Sequence, residues 1–430
     1  MRSIGFFTFL FFLGTDFAWS QSSSCRGVED RIQDTATYVK KNFKEQDVAP
    51  DVEYIEQLAT TCKVNIAKFG WGRGLFDYWK NTGYEAELDK AKEQSEYYAK
   101  FKDVSPELER YRRYASKLKM NPQEIDSYIS KYRTQGLASA RAEEKKCQPA
   151  IDLRNQALGE VRDQDSIGWC YAFAGADLLT YKLGKKVSAV DVAMNYNDGW
   201  FKNTLKRVGW GEQDFQGATP QGMGTAIDNT KAKGGACLEA NLRSEDNGYS
   251  TIMSNLTEID NLKKKSGTLN SMTCPSVVQR VFPTIQAKEF LEISENASRA
   301  TLISMLSDKA CKPRLSLKGV EVEYTSPSFL GDTTEVLNQI DRQLSRKNIL
   351  ALAYNAQFLY DRNSKKNGGH ASTIVGRRFN KSNGECEYLV RNSWGRGCSS
   401  YDPYYTCEAG NIWIPKSVVS KGVINVSFIK

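Results

Sequence analysis

The sequence predicts an α+β fold in which amphipathic helices come first and β-rich segments follow. Three observations predict it. Apolar residues recur every three or four positions through residues 22–146; after Cys147 the texture changes to glycines, aromatic clusters and short apolar runs; and β-branched strand patterns gather at "NILALAY", "HASTIVG" and "CEYLVRN". With 430 residues, 40% hydrophobic and 11% aromatic, the chain can bury two or three sizeable cores.

At the start, Arg2, the apolar block from Ile4 to Leu13 and the small residues Ala18 and Ser20 have the layout of a secretory signal, so residues 1–20 are read as one. No other apolar run approaches the ~18 residues that span a bilayer. The protein is therefore expected to be secreted or periplasmic, without a membrane span. Ten cysteines then predict disulfides, because that compartment is oxidising. One histidine and no CxxC pair speak against a zinc site, and no metal or cofactor is expected. The net charge of +8 is spread without a basic run, and no aromatic-basic signature accompanies it, so nucleic acid is not an expected partner.

The region 21–147 reads as helical. Ser105 and Pro106 start one helix with the stripe Leu108, Tyr111, Ala115 and Leu118; Asn121, Pro122 and Glu124 start the next, with Ile125, Tyr128, Ile129 and Tyr132 on one face. "WGRG" at Trp71 to Gly74 lacks the Lys-Ser/Thr pair of a phosphate loop and reads as a turn. The dibasic "SARAEEKKC" reads as a linker or processing site. Cys25 with Cys62 would staple this region.

Beyond Cys147, a helix beginning near Cys170 carries Ala172, Phe173, Ala176 and Leu179 on one side and closes at Gly184. Ser188 and Asp191 form a capping-box pattern ahead of another helix, and a third runs from Gln221 to about Lys231. The stretch of about 243–332 reads as a surface insertion stapled by Cys274 and Cys311, and Cys398 with Cys407 would brace the loop between them. Cys147, Cys237 and Cys386 are left for one bond and one free thiol. A helix over Thr334 to Leu344 then leads into the strands.

Chemistry concentrates on Cys170, which could be a nucleophile, half of a disulfide or packing. A thiol attacks an amide as thiolate, and a helix start and an imidazole both favour that charge. The one imidazole available is His370 in "NGGHASTIV", opening a strand behind two glycines. Asn392, at the end of the next strand, is placed to accept the imidazole's other N–H. The Cys170 backbone N–H and the Gln164 amide could then bind a developing oxyanion.

These residues resemble the papain-like cysteine proteases. "RDQDSIGWCYAF" resembles that family's Gln-x5-Cys-aromatic-Ala-Phe segment, "GGHASTIVGRR" its His-Ala strand and "YLVRNSWGRG" its Asn-Ser-Trp-Gly strand; "AIDLR", "GATP" and "NIWIP" match its mature start, its turn and its closing strand more weakly. The resemblance covers 148–430. It implies a two-lobe fold with a helical left lobe and a β-barrel-like right lobe. It implies Cys170 as nucleophile in a thiolate-imidazolium pair with His370, Asn392 as orienting residue, Gln164 as oxyanion donor and Trp394 as a shield over the Asn-His contact. A polypeptide is the implied substrate, with Trp169, Ala218, Gly369 and Ala371 in the cleft.

Departures are also legible. His370 lies 200 residues after Cys170, against the ~130–150 usual for the family. Trp169 and Tyr171 put bulk on both sides of the sulfur. Residues 21–147 have the position and length of an inhibitory pro-segment but lack the family's spaced signature. Two other readings stand beside a secreted endopeptidase: a Cys-His hydrolase of peptidoglycan peptides, and a non-catalytic, protease-like binding protein.

Overall fold

The computed structural model describes residues 25–43, 48–165, 168–197, 222–244, 255, 259, 274–297, 301–362, 364 and 366–430, without the side chains of residues 197 and 274–276. The signal expected at 1–20 and the turn expected at "GATP" with Ala218 lie outside these. Two compact units divide the chain, with the boundary between Ser139 and Ala140.

The first unit is helical: α1 (Val28–Asn42), α2 (Ala49–Thr61), α3 (Gly72–Tyr98), α4 (Ser105–Lys117) and most of α5 (Pro122–Cys147). Ile32, Val39, Ile55, Phe76 and Trp79 form one core, and Ala91, Leu108, Tyr111, Ile125 and Ile129 a second, so the long α3 serves both. The Cys25–Cys62 bond joins the ends of α1 and α2 as expected. "WGRG" does not stay a turn. Trp71 packs against the first core and stacks on Phe69 at 5.1 Å, and α3 starts at the next residue. "SARAEEKKC" is likewise no linker: Ala, Arg, Glu and Lys are strong helix formers with no breaker among them, and α5 runs on to Cys147.

The second unit begins inside α5, eight residues before the boundary at 148 that the sequence suggests. The physical reason lies in what holds the end of that helix. Cys147 is bonded to Cys386, and the buried Lys416 ammonium donates to Glu143 at 2.9 Å and to Asp341 at 2.8 Å. Burial pushes the Lys416 pKa down, but the two carboxylates outweigh it and leave it raised.

Its helices are α6 (Cys170–Leu183), α7 (Ala189–Asn197), α8 (Gly222–Ala232), α9 (Cys274–Val281), α10 (Ala287–Asn296), α11 (Leu302–Ala310), α12 (Thr334–Ser345), α13 (Gln357–Tyr360) and α14 (Lys416–Gly422). Its strands are β1 (Ile151–Asp152), β2 (Val322–Thr325), β3 (Leu350–Asn355), β4 (Gly369–Asn380), β5 (Glu385–Arg391), β6 (Thr406–Glu408), β7 (Asn411–Pro415) and β8 (Val423–Ile429). They form one antiparallel sheet in the order β2-β8-β3-β4-β5-β7-β6, with β1 added on β4. The expected barrel-like closure is absent among the described residues. The sheet is open, because its end strands β2 and β6 are only 4 and 3 residues long and each pairs with a single neighbour.

One apolar cluster unites Phe173, Ala176 and Leu179 of α6 with Val190 of α7, Ile227 of α8 and the sheet residues Ala351, Val375 and Leu389. The same cluster contains Val277, Val281, Phe282, Phe290, Leu302 and Leu306. The expected surface insertion is therefore corrected: α9 to α11 carry apolar stripes that belong to this core, and β2 is part of the sheet. The expected Cys274–Cys311 bond is corrected too, since Cys311 pairs with Cys237. Ala236 and Leu315 exchange backbone hydrogen bonds at 2.9 and 2.8 Å, which brings the two cysteines together. Only glycine fits at 235, where φ is +124° and a Cβ would lie 2.0 Å from the Leu315 carbonyl oxygen. Arg314 completes the joint by donating to both Asp191 oxygens, while Ser188 accepts the Asp191 N–H as the capping pattern predicts.

Phe282 discriminates between insertion and core. Phe282→Ala is expected to cost about 3–5 kcal/mol in urea unfolding of the intact protein, the range of a large core truncation. A surface insertion would give less than about 0.5 kcal/mol.

Candidate active site

Cys170 is the first residue of α6, with Trp169 at the N-cap, so its sulfur sits where the helix's unpaired N–H groups and dipole favour negative charge. Among the cysteines whose side chains are described, it is the one outside the disulfides Cys25–Cys62, Cys147–Cys386, Cys237–Cys311 and Cys398–Cys407. The disulfide reading of this residue is thereby set aside. Neighbouring aromatics turn inward: Trp169 and Tyr171 are both buried, the latter with its ring 4.8 Å from Tyr196. The bulk on both sides of the sulfur goes into the helical core, where apolar area leaves water.

His370 is the second residue of β4, opposite Tyr354 of β3, and Asn392 follows the last residue of β5. Since β4 and β5 pair antiparallel with Thr373 opposite Arg391, the end of β5 comes back alongside the start of β4. His370 Nε2 and Asn392 Oδ1 are 2.7 Å apart, both residues buried. The Ser393 backbone N–H also donates to that oxygen at 2.8 Å. A backbone N–H can only donate, so this end of the amide must be its oxygen. His370 therefore carries its proton on Nε2, and Nδ1 is the unprotonated nitrogen.

An aromatic stack covers this pair. The Trp394 ring lies 4.6 Å from His370 and is nearly parallel to Tyr360 at 5.5 Å and Tyr401 at 6.3 Å. Tyr401 accepts the Asn392 Nδ2 hydrogen bond at 3.0 Å and sits within the loop closed by Cys398–Cys407. Gln164 is buried beside it, its N–H bonded to the Ser393 carbonyl at 2.8 Å and its Oε1 accepting from the Ser393 hydroxyl. With the oxygen so engaged, the NH2 end of the amide is directed away from Ser393. Gly369 is exposed ahead of His370, while the Ala371 side chain joins the core.

One buried carboxylate ties these segments together. Asp177, two turns into α6, accepts from Arg162 at 2.8 Å and from Arg391 at 3.0 Å. Arg162 lies two residues before Gln164, and Arg391 directly precedes Asn392. Arg391 further donates to the carbonyls of Leu158, Gly159 and Glu160, and Arg162 to Val187 and Glu239. Pattern reading of the sequence missed Asp177, Tyr401, Ser372 and Tyr354. A hint existed for Ser372 alone, two residues from His370 and so on the same face of its strand.

Burial pushes the Cys170 thiol up, although N–H groups of Ala371, Tyr171 and Cys170 itself pull the other way. Burial likewise pushes His370 down to about 4, against the opposite pull of the Asn392 bond. Both directions favour a neutral thiol and a neutral imidazole at rest. The resting thiolate-imidazolium pair expected from the sequence is disfavoured by desolvation.

No family model and no curated protein matches this chain.

Two outcomes follow from this geometry. Asp177→Ala leaves the buried Arg391 guanidinium without its carboxylate and Arg162 with Glu239 alone, and is expected to cost about 3–5 kcal/mol in denaturant unfolding. Because the folded pKa of His370 lies below its ordinary value of 6.5, the folded state binds fewer protons, and its contribution to stability is complete above pH 6.5. That contribution is lost as pH falls toward 4, about 3 kcal/mol in all. Stability curves of His370→Asn should be correspondingly flatter between those values.

Proposed function

We propose that the protein is a cysteine endopeptidase of the papain-like kind, with a helical lobe and a sheet lobe meeting at Cys170 and His370. What carries this reading is the His370–Asn392 contact under Trp394, with Cys170 free at the start of α6. The Ala371 backbone N–H, next in sequence to His370, favours the Cys170 thiolate against the effect of burial. A secreted setting is supported by the four disulfides; no helix among the described residues is long and apolar enough to cross a membrane.

In this reading the Cys170 Sγ proton passes to His370 Nδ1 as the sulfur bonds to a peptide carbonyl carbon. Charge builds on the carbonyl oxygen, where the Cys170 N–H and the Gln164 amide act as donors. His370 then returns the proton to the leaving amine as the C–N bond breaks, giving a thioester. Water, deprotonated by the same nitrogen, attacks the thioester; the carboxylic acid leaves and Sγ regains its proton. Asn392 holds the imidazolium formed in both steps through its Oδ1.

A thiol-directed epoxide should label Cys170, and Cys170→Ala should abolish release of peptides from casein. Asn392→Ala is expected to lower kcat ~10²-fold with KM little changed. Labelling of another cysteine, or full turnover by Cys170→Ala, would sink the proposal. Turnover of purified cell wall but not casein would replace it with the peptidoglycan-peptide reading.

A further inference from the structure

We propose that Ser372 and Tyr354 are positioning residues that fix the orientation of the Asn392 amide, and through it the tautomer of His370. The kinetic part of this inference rests on the peptidase reading; the structural part does not.

Ser372 and His370 share one face of β4, and Tyr354 is the cross-strand partner of His370. The Ser372 hydroxyl donates to Asn392 Oδ1 at 3.0 Å and lies 2.8 Å from the Tyr354 hydroxyl. A serine has one proton, and Asn392 receives it. Tyr354 must therefore donate to Ser372, which gives a directed chain from Tyr354 to Ser372 to Asn392, alongside the bond from His370. The Tyr354 ring is fully buried and stands edge-on to His370 at 5.6 Å.

Ser372 is buried on its strand among the apolar Ala371, Ile374 and Val375 and the polar Thr373. Two hydroxyls in such a place are costly unless each has a partner. Ser372 finds one in the Asn392 oxygen, and Tyr354 finds one in Ser372. Were the amide turned over, its NH2 would face three donors: Ser372, the Ser393 N–H and His370. The chain thus penalises the wrong orientation and keeps His370 Nδ1 unprotonated and available as the base.

Full-length protein labelled with 15N tests this directly, since the sole histidine needs no assignment. Wild type should show the Nε2–H tautomer alone. Ser372→Ala should show a mixture containing Nδ1–H, with kcat reduced about tenfold and KM unchanged, the size of one lost hydrogen bond. Tyr354→Phe should shift both readouts the same way by less, and the double variant should lose no more than Ser372→Ala, because Tyr354 acts through Ser372. Tyr354→Phe removes a single oxygen and carries the test alone should Ser372→Ala fold poorly. An unchanged tautomer in both variants, or strictly additive losses, overturns the proposal. Absence of turnover in wild type would count against the peptidase reading, while the nitrogen spectra would still decide the positioning role.

Discussion

The Asp177 carboxylate is the interaction on which the rest of the site depends. It lies buried on α6 and binds two guanidinium groups, from the segments that carry Gln164 and Asn392. Three stretches of chain that meet nowhere in sequence are thereby brought into one frame. Such a buried cluster is costly to desolvate and stands only if its remaining protons are satisfied, which is why both arginines continue to backbone carbonyls and Arg162 also lies over the Phe173 ring. The geometry of the site is set from below, by charge in the core, and the surface contributes the cover.

That cover and that base solve one problem from two sides. The His370–Asn392 contact is buried beside Trp394, whose ring is nearly parallel to those of Tyr360 and Tyr401. Excluding water strengthens every hydrogen bond beneath, and it also disfavours isolated charge on Cys170 and His370. In the proposed mechanism charge therefore appears only when substrate supplies a place for the second half of it.

The sequence made legible those features whose signal is local. Helix periodicity with Gly184 at its end located α6 and put Cys170 in its first turn; strand patterns placed His370 and Asn392 on neighbouring strands. Features that depend on distant partners were not legible. Asp177 reads as one more polar residue on a helix until Arg162 and Arg391 are seen beside it, and Cys237 carries no mark that selects Cys311 over Cys274. Other errors had a local remedy. The stretch 139–147 is charged, yet its composition favours helix, and the apolar stripe of Val277, Val281 and Phe282 is visible within an otherwise polar segment.

The Cys147–Cys386 bond closes a covalent ring of chain, 239 residues around, that contains Cys170 and His370 but not Asn392. Its topology separates peptide-bond cleavage from physical release. A protease that cuts just beyond Cys147 produces two polypeptides that remain a single molecule, with the helical N-terminal chain hanging from β5 by one sulfur bridge. Separating that chain would then take two chemistries, hydrolysis of the peptide bond and reduction of the disulfide.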